Sequence, residues 1–161
     1  MKLYHGTNQE IEAIDLSKGL KHKDFGQGFY LTPELETAQR MAKKRARLFG
    51  GNATIIEYEY DEAMAEGLNV KVFPEKATAE WARFVDRNRD RKQAPERCEY
   101  DIVSGPIADD GVAYQLDRYH EGTGTIEEIA EGLQDKYLDQ QVFFGSERAL
   151  KCLSKIKSTK L

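Results

Sequence analysis

Cysteine, proline, histidine and tryptophan are all scarce in this 161-residue chain, at two, four, three and one respectively. Cys98 and Cys152 stand far apart without metal-ligand spacing, which excludes a disulfide-stapled secreted scaffold. They read as reduced thiols, with Cys152 on a helix face. His5, His22 and His120 form no cluster with cysteine or acid at zinc spacing, so no metal is expected. No apolar run approaches the roughly 20 residues of a membrane-spanning helix, and no membrane partner is expected. The N-terminus enters strand-like sequence without a basic and apolar leader. The expectation is a cytoplasmic monomer, unless a signal outside this sequence exports it. An excess of positive charge is also missing: the net charge of −4 disfavours a general nucleic-acid binder.

What remains is the composition of a soluble globular chain, 40% hydrophobic and 32% charged. The length fits one domain over residues 1–161, with enough chain to bury a real core. Two basic stretches break the acidic balance. Arg40, Lys43, Lys44, Arg45 and Arg47 form one; Arg83, Arg87, Arg89, Arg91 and Lys92 form the other. Solvated helix faces are the favoured reading, and a polyanion-binding surface the alternative.

Patterning gives the elements. Lys2 to Tyr4 read as a strand, residues 8 to 25 as a mobile loop anchored by Ile11, Ile14 and Leu16, and Gly28 to Thr32 as a second strand. In that strand Phe29 and Leu31 share one face and Tyr30 takes the other. Thr32-Pro33-Glu34 reads as a helix start, with Thr32 as cap, and the helix runs to Gly50-Gly51-Asn52. Thr54 to Tyr60 alternate as a half-buried strand. Val70 to Phe73 are a strand and residues 76 to 89 a helix. Tyr100 to Val103 form a strand before a turn at Gly105-Pro106. Residues 112 to 119 are irregular or helical. Thr125 to Tyr137 read as a helix with a Thr125/Glu128 capping box. Gln141 to Phe144 are a last strand and Ser146 to Leu153 a last helix. Short strands interrupted by helices, without a regular βαβ rhythm, imply an α+β fold.

The residues that carry chemistry lie in Leu3-Tyr4-His5-Gly6-Thr7 and in Asp24-Phe25-Gly26-Gln27-Gly28-Phe29-Tyr30-Leu31-Thr32. Taken singly, His5 and Tyr30 read as core residues. Taken together, with Gly6, Gly26 and Gly28 and a polar residue opening the last strand, they resemble the ADP-ribosyltransferase superfamily. The branch they resemble is the diphtheria-toxin and poly(ADP-ribose)-polymerase type, which carries a His-Tyr-Glu signature. The Lys23-Asp24-Phe25-Gly26 run, Asp101-Ile102-Val103 with Gly105-Pro106, and Ser146-Glu147-Arg148-Ala149-Leu150 look like an uncharacterised bacterial family assigned to that fold.

The resemblance implies a split β-sandwich with flanking helices and a central cleft that binds NAD as co-substrate. It implies that His5 donates to a ribose hydroxyl and that the Gly6 backbone meets the nicotinamide carboxamide, with Thr7 adding a hydroxyl contact. Tyr30 offers its face to the nicotinamide ring, with Gly26 and Gly28 packed beneath. The implied reaction is loss of nicotinamide through an oxocarbenium-like ribosyl cation and its capture by a nucleophile. The signature glutamate is replaced by Gln141, with Gln140 adjacent; a glutamine holds a hydroxyl but brings no charge.

That departure disfavours polymer elongation and leaves mono-ADP-ribosylation of a macromolecular acceptor, protein or nucleic acid, with His5, Tyr30 and Gln141 as the catalytic set. An NAD glycohydrolase and a non-catalytic NAD- or ADP-ribose-binding module are the alternatives, and a toxin or effector role accords with the family. A tRNA 2′-phosphotransferase shares the broader fold, but the arginine-rich phosphate-binding set it needs around the histidine is not found. The second aromatic wall of the family pocket is absent, and either Met41 or another segment takes its place.

Weaker positions complete the reading. Asp109 and Asp110 read as a turn, or as groups that position an acceptor. Arg89 reads as a helix-dipole partner, or as a phosphate contact. Lys18, Lys21 and Lys23 lie in the loop expected to cover NAD, where one can meet the pyrophosphate. Glu147 reads as a dipole-matched residue at a helix start.

Overall fold

Residues 1–95 and 97–161 are described by the computed structural model. Seven strands and five α-helices occur among them, in a mixed α+β arrangement. The strands are β1 (Lys2–Thr7), β2 (Phe29–Leu31), β3 (Thr54–Tyr60), β4 (Val70–Val72), β5 (Ile102–Pro106), β6 (Gln140–Phe144) and β7 (Leu153–Lys160). The helices are α1 (Leu35–Phe49), α2 (Ala79–Arg89), α3 (Asp110–His120), α4 (Ile126–Gly132) and α5 (Glu147–Leu150). Two sheets form, one in the order β1-β3-β7 and the other in the order β2-β6-β5-β4. All pairings are antiparallel except β4 with β5, which α2 links in parallel.

Side-chain alternation decides how the layers stack. Phe29, Leu31, Ile102, Val142 and Phe144 leave one face of the second sheet and share a core with Leu3, Ile56, Tyr58 and Tyr60 of the first. Val103 and Phe143 leave the opposite face and pack with Phe25, Trp81, Val85, Val112, Leu116 and Ile129. Helices α2, α3 and α4 therefore cover that side. Ile11, Ile14 and Leu16 anchor the loop after β1 onto the inter-sheet core, as their apolar character implies. Helix α1 lies on β1 and β3, where Gly6 makes room for it. A Cβ at Gly6 would stand 2.1 Å from the carbonyl oxygen of Ala38 and 2.9 Å from the amide nitrogen of Ala42.

Among the described residues the sheets are bridged at one point. Tyr4 and Thr32 form an isolated antiparallel bridge, with N–H to carbonyl distances of 2.8 and 2.9 Å. Past it, β1 continues with β3 while β2 runs with β6, so the sheets part beside His5 and Tyr30.

Several boundaries differ from the sequence reading. Thr32 belongs to the bridge; the α1 cap position is Glu34, which makes no side-chain capping bond. Gly105-Pro106 is no turn but the end of β5, paired with the start of β6; Ile107 N–H bonds Asp139 O just beyond, so Pro106 sits at a position whose nitrogen faces away from β6. The Thr125/Glu128 capping box is present, yet α4 stops at Gly132 rather than Tyr137. The last helix is only Glu147–Leu150. Cys152 follows it, buried, and β7 then takes up the chain along β3. Residues 112–119 are helical, within α3. No helix among the described residues is long and apolar enough to cross a membrane.

Candidate functional site

His5 is held where the sheets part. Its Nδ1 lies 2.7 Å from the carbonyl oxygen of Tyr30, and its ring rests 4.4 Å from that of Phe29, centroid to centroid. A carbonyl only accepts, so Nδ1 carries the proton and Nε2 keeps a lone pair. Desolvation pulls the His5 pKa down to about 4, and the Lys23 and Arg45 cations act in the same direction. At neutral pH the imidazole is therefore uncharged and offers Nε2 as an acceptor. This corrects the expectation that His5 donates: a ribose hydroxyl at Nε2 would be the donor.

Tyr30 occupies the other face of β2. Its hydroxyl donates to Gly26 O at 2.6 Å and accepts from Phe25 N–H at 3.0 Å, which ties the end of the loop to the strand. Desolvation raises its pKa, so the phenol keeps its proton. Phe143 and Phe25 pack around the ring at centroid distances of 5.1 and 6.4 Å. The Lys23 ammonium stands 4.5 Å above the ring centroid, a cation–π contact. Lys23 is an exposed residue, but its ammonium lies against the Tyr30 ring, and desolvation there lowers its pKa.

Glycine serves close packing and backbone conformation here. Gly26 adopts φ +100°, a conformation side chains rarely take. A Cβ at Gly28 would lie 2.3 Å from Phe143 Cε2 and 2.6 Å from Phe144 O. Gly6 answers to α1, as described above. Thr7 is buried at the end of β1.

Gln141 lies on β6 two residues before Phe143, so it shares a sheet face with Tyr30. It is only 6% exposed. Its Nε2 donates to Asp24 Oδ2 at 2.8 Å and to Pro106 O at 3.1 Å. Gln140 is turned elsewhere, with its Nε2 on Glu75 O and Leu138 O, both at 2.9 Å. Between the two glutamines, Gln141 is the one on the Tyr30 face.

Asp24, read at first only as part of a motif, proves to be the hub. Its Oδ1 accepts from Arg89 Nε at 2.7 Å, and its Oδ2 from Ala108 N–H at 2.9 Å and from Gln141. Arg89 also donates to Ala108 O at 2.9 Å, so it is an ion-pair partner inside the fold rather than a free phosphate ligand. Nothing in the local sequence signals this. Asp24 and Gln141 lie 117 positions apart and meet only through the sheet.

Other expectations resolve as follows. Met41 lies on α1 and is 38% exposed; the Tyr30 ring itself packs against Phe25 and Phe143. Asp109 caps α3 by accepting from Val112 N–H and pairs with Lys136 at 2.9 Å. Glu147 is the exposed first residue of α5. Arg45 was read as part of a solvated helix face; its guanidinium lies over the Phe49 ring at 5.2 Å, and its charge adds to the lowering of the His5 pKa. A surface cavity of about 160 Å³ lies beside the loop, lined by Lys21, His22, Phe84, Arg87, Asn88 and Cys98 among others, and does not include His5, Tyr30 or Gln141. Among the described residues no group of histidine, cysteine and acid gathers as a metal site.

The chain belongs to a family described as "Protein of unknown function (DUF3990)", whose model matches residues 1–154. The match runs from β1 through α5 and ends at the start of β7. Comparison with curated proteins and with solved structures gave no match.

Proposed function

We propose that the protein is an NAD-dependent mono-ADP-ribosyltransferase, and that its two facing sheets are the split β-sandwich of that superfamily. One observation carries the reading: where the sheets part, His5 is bonded to the backbone of Tyr30, and Gln141 opens the neighbouring strand on the Tyr30 face. Three sequence-distant positions named by the His-Tyr-Glu resemblance thus fall on adjoining strands.

The chemistry of the cleft suits an anionic dinucleotide with a cationic ring. Lys23, over the Tyr30 ring, and Arg45, whose charge acts on His5, favour a pyrophosphate. The electron-rich Tyr30 face that attracts the Lys23 ammonium suits the positive nicotinamide ring equally well. Lys23 leaves that face when the ring arrives. His5 Nε2 and Gln141 Oε1 are acceptors for ribose hydroxyls. In the reaction the bond between nicotinamide nitrogen and ribose carbon breaks, and the electron pair leaves with nicotinamide. The carbon bonds to an acceptor nucleophile, which gives up a proton.

NAD labelled in its adenylate moiety, incubated with the protein and with cell protein, DNA and RNA, is the test. The expected result is label on a macromolecule together with free nicotinamide, both lost in His5→Ala and Tyr30→Ala variants that still fold. Free ADP-ribose without labelled polymer would mean a glycohydrolase. The near-complete burial of Gln141 favours one further reading, a non-catalytic module that binds NAD or ADP-ribose. Calorimetric binding with no nicotinamide release would select it.

A further inference from the structure

Gln141 is bonded so that only one end of its amide can face outward. Asp24 Oδ2 and Pro106 O, 2.8 and 3.1 Å from its nitrogen, are acceptors, so the NH₂ group must stand between them. Both its N–H bonds are used. The carbonyl oxygen Oε1 is left as the presented atom, with no protein partner among the described residues. No fully buried side-chain nitrogen or oxygen of those residues lacks a partner, so an unpartnered Oε1 is not fully enclosed.

Every contact to the Asp24 carboxylate comes from a donor: Arg89 Nε, Ala108 N–H and Gln141 Nε2. We infer that Asp24 is a positioning residue, holding the Gln141 amide nitrogen so that Oε1 is the atom left to meet a ligand on the Tyr30 face, and setting a buried negative charge one hydrogen bond behind it. The structural half of this stands on geometry alone; the catalytic half rests on the NAD-cleaving reading above.

The physical consequence answers the missing glutamate. A hydrogen bond to a carboxylate polarises the amide and shifts electron density onto its oxygen. Oε1 then accepts a ribose hydroxyl more strongly than an isolated glutamine does, and it has no competing N–H to turn toward the sugar. The negative charge that a glutamate would bring on its own side chain comes here from another segment of the chain, through the amide. Arg89 offsets part of that charge from the far oxygen. Because Arg89 is one-third exposed while Asp24 is buried, screening weakens the cation more than the carboxylate.

The experiment has two arms. In the first, the Gln141 side-chain amide is followed by NMR without any ligand. Slow hydrogen exchange in the wild type and fast exchange in Asp24→Ala are expected; a fast-exchanging Gln141 amide in the wild type overturns the lock. In the second, nicotinamide release is measured in variants whose fold is checked by circular dichroism. Asp24→Asn removes the charge and should lower kcat by about tenfold or more with little change in KM for NAD, as for loss of one charge-assisted hydrogen bond. Asp24→Asn combined with Gln141→Glu moves the carboxylate forward and should restore most of the loss. Gln141→Glu alone sets two carboxylates in contact and should fall below the double variant. A wild-type kcat in Asp24→Asn, or a double variant no better than it, overturns the catalytic half. A protected Gln141 amide in a protein that neither binds NAD nor releases nicotinamide overturns the NAD reading and the catalytic half with it, while the lock stands.

Discussion

His5 shows how one side chain can be fixed by what surrounds it. Its Nδ1–H is committed to the Tyr30 carbonyl, and desolvation holds its pKa near 4 against an ordinary 6.5. Between those values the unfolded chain binds a proton that the folded chain refuses. Stability is therefore complete above pH 6.5 and declines as the pH falls toward 4. With partial exposure allowed for, the loss is on the order of 2 kcal/mol. Urea unfolding across this range should show the acid decline in the wild type and a flatter profile in His5→Asn. Equal slopes would place the acid sensitivity elsewhere. Nicotinamide release, if it occurs, should not titrate with His5 between pH 6 and 8. The sequence pointed to His5 and Tyr30 through their short motifs. It did not point to the direction of the His5 hydrogen bond, because that depends on a carbonyl 25 residues away.

At the level of elements, patterning located most of the chain and failed where pairing overrides it. β3 falls where its alternation puts it. It is buried on both faces along most of its length rather than half-buried, because it is the central strand of its sheet and α1 covers its other side. The capping box at Thr125 is a local signal that the structure bears out, whereas α2 begins at Ala79 behind Thr78, a cap the sequence reading did not single out. β7 has no such local signal. Its sequence Leu-Ser-Lys-Ile-Lys-Ser-Thr-Lys is mostly exposed and lysine-rich, which suits an edge strand and resembles a polar tail. Only the unpaired edge of β3 makes it a strand. The seat of α1 on β1 is equally non-local and depends on Gly6. In Gly6→Ala the new methyl meets helix backbone at 2.1 Å, so the helix must move as a body. A destabilisation of about 3 kcal/mol is expected from such overpacking, read as a lower denaturant midpoint. A change below about 0.5 kcal/mol, the usual limit for a harmless surface substitution, would mean that α1 slides freely on β1.

Across the whole molecule, the Asp24 hub ties the long loop, α2, the end of β5 and the start of β6 into one unit. Arg89 supplies the countercharge from the last turn of α2. Arg89→Met keeps much of the stem but strands the Asp24 carboxylate, so a loss of about 2 to 3 kcal/mol is expected, at the lower end for a broken buried pair because Arg89 is partly exposed. Adding Asp24→Asn to Arg89→Met should recover part of that loss, since the stranded charge is then gone. Equilibrium unfolding of the two single variants and the double variant measures the coupling, and strict additivity would contradict the hub.

By itself the sequence determined the α+β class, most strand and helix positions, and which residues carry the resemblance to a His-Tyr-Glu cleft. These follow from apolar periodicity, caps and short motifs, all of which act over a few neighbouring residues. The tertiary structure decided the rest. It made Gly6 and Gly28 packing positions, turned His5 into an acceptor, placed Lys23 over the Tyr30 ring, and bound Gln141 to Asp24. The reason is physical: hydrogen-bond direction, desolvation and steric fit are set by groups brought together from far along the chain, and a glutamine in a sequence does not reveal which carboxylate stands behind it.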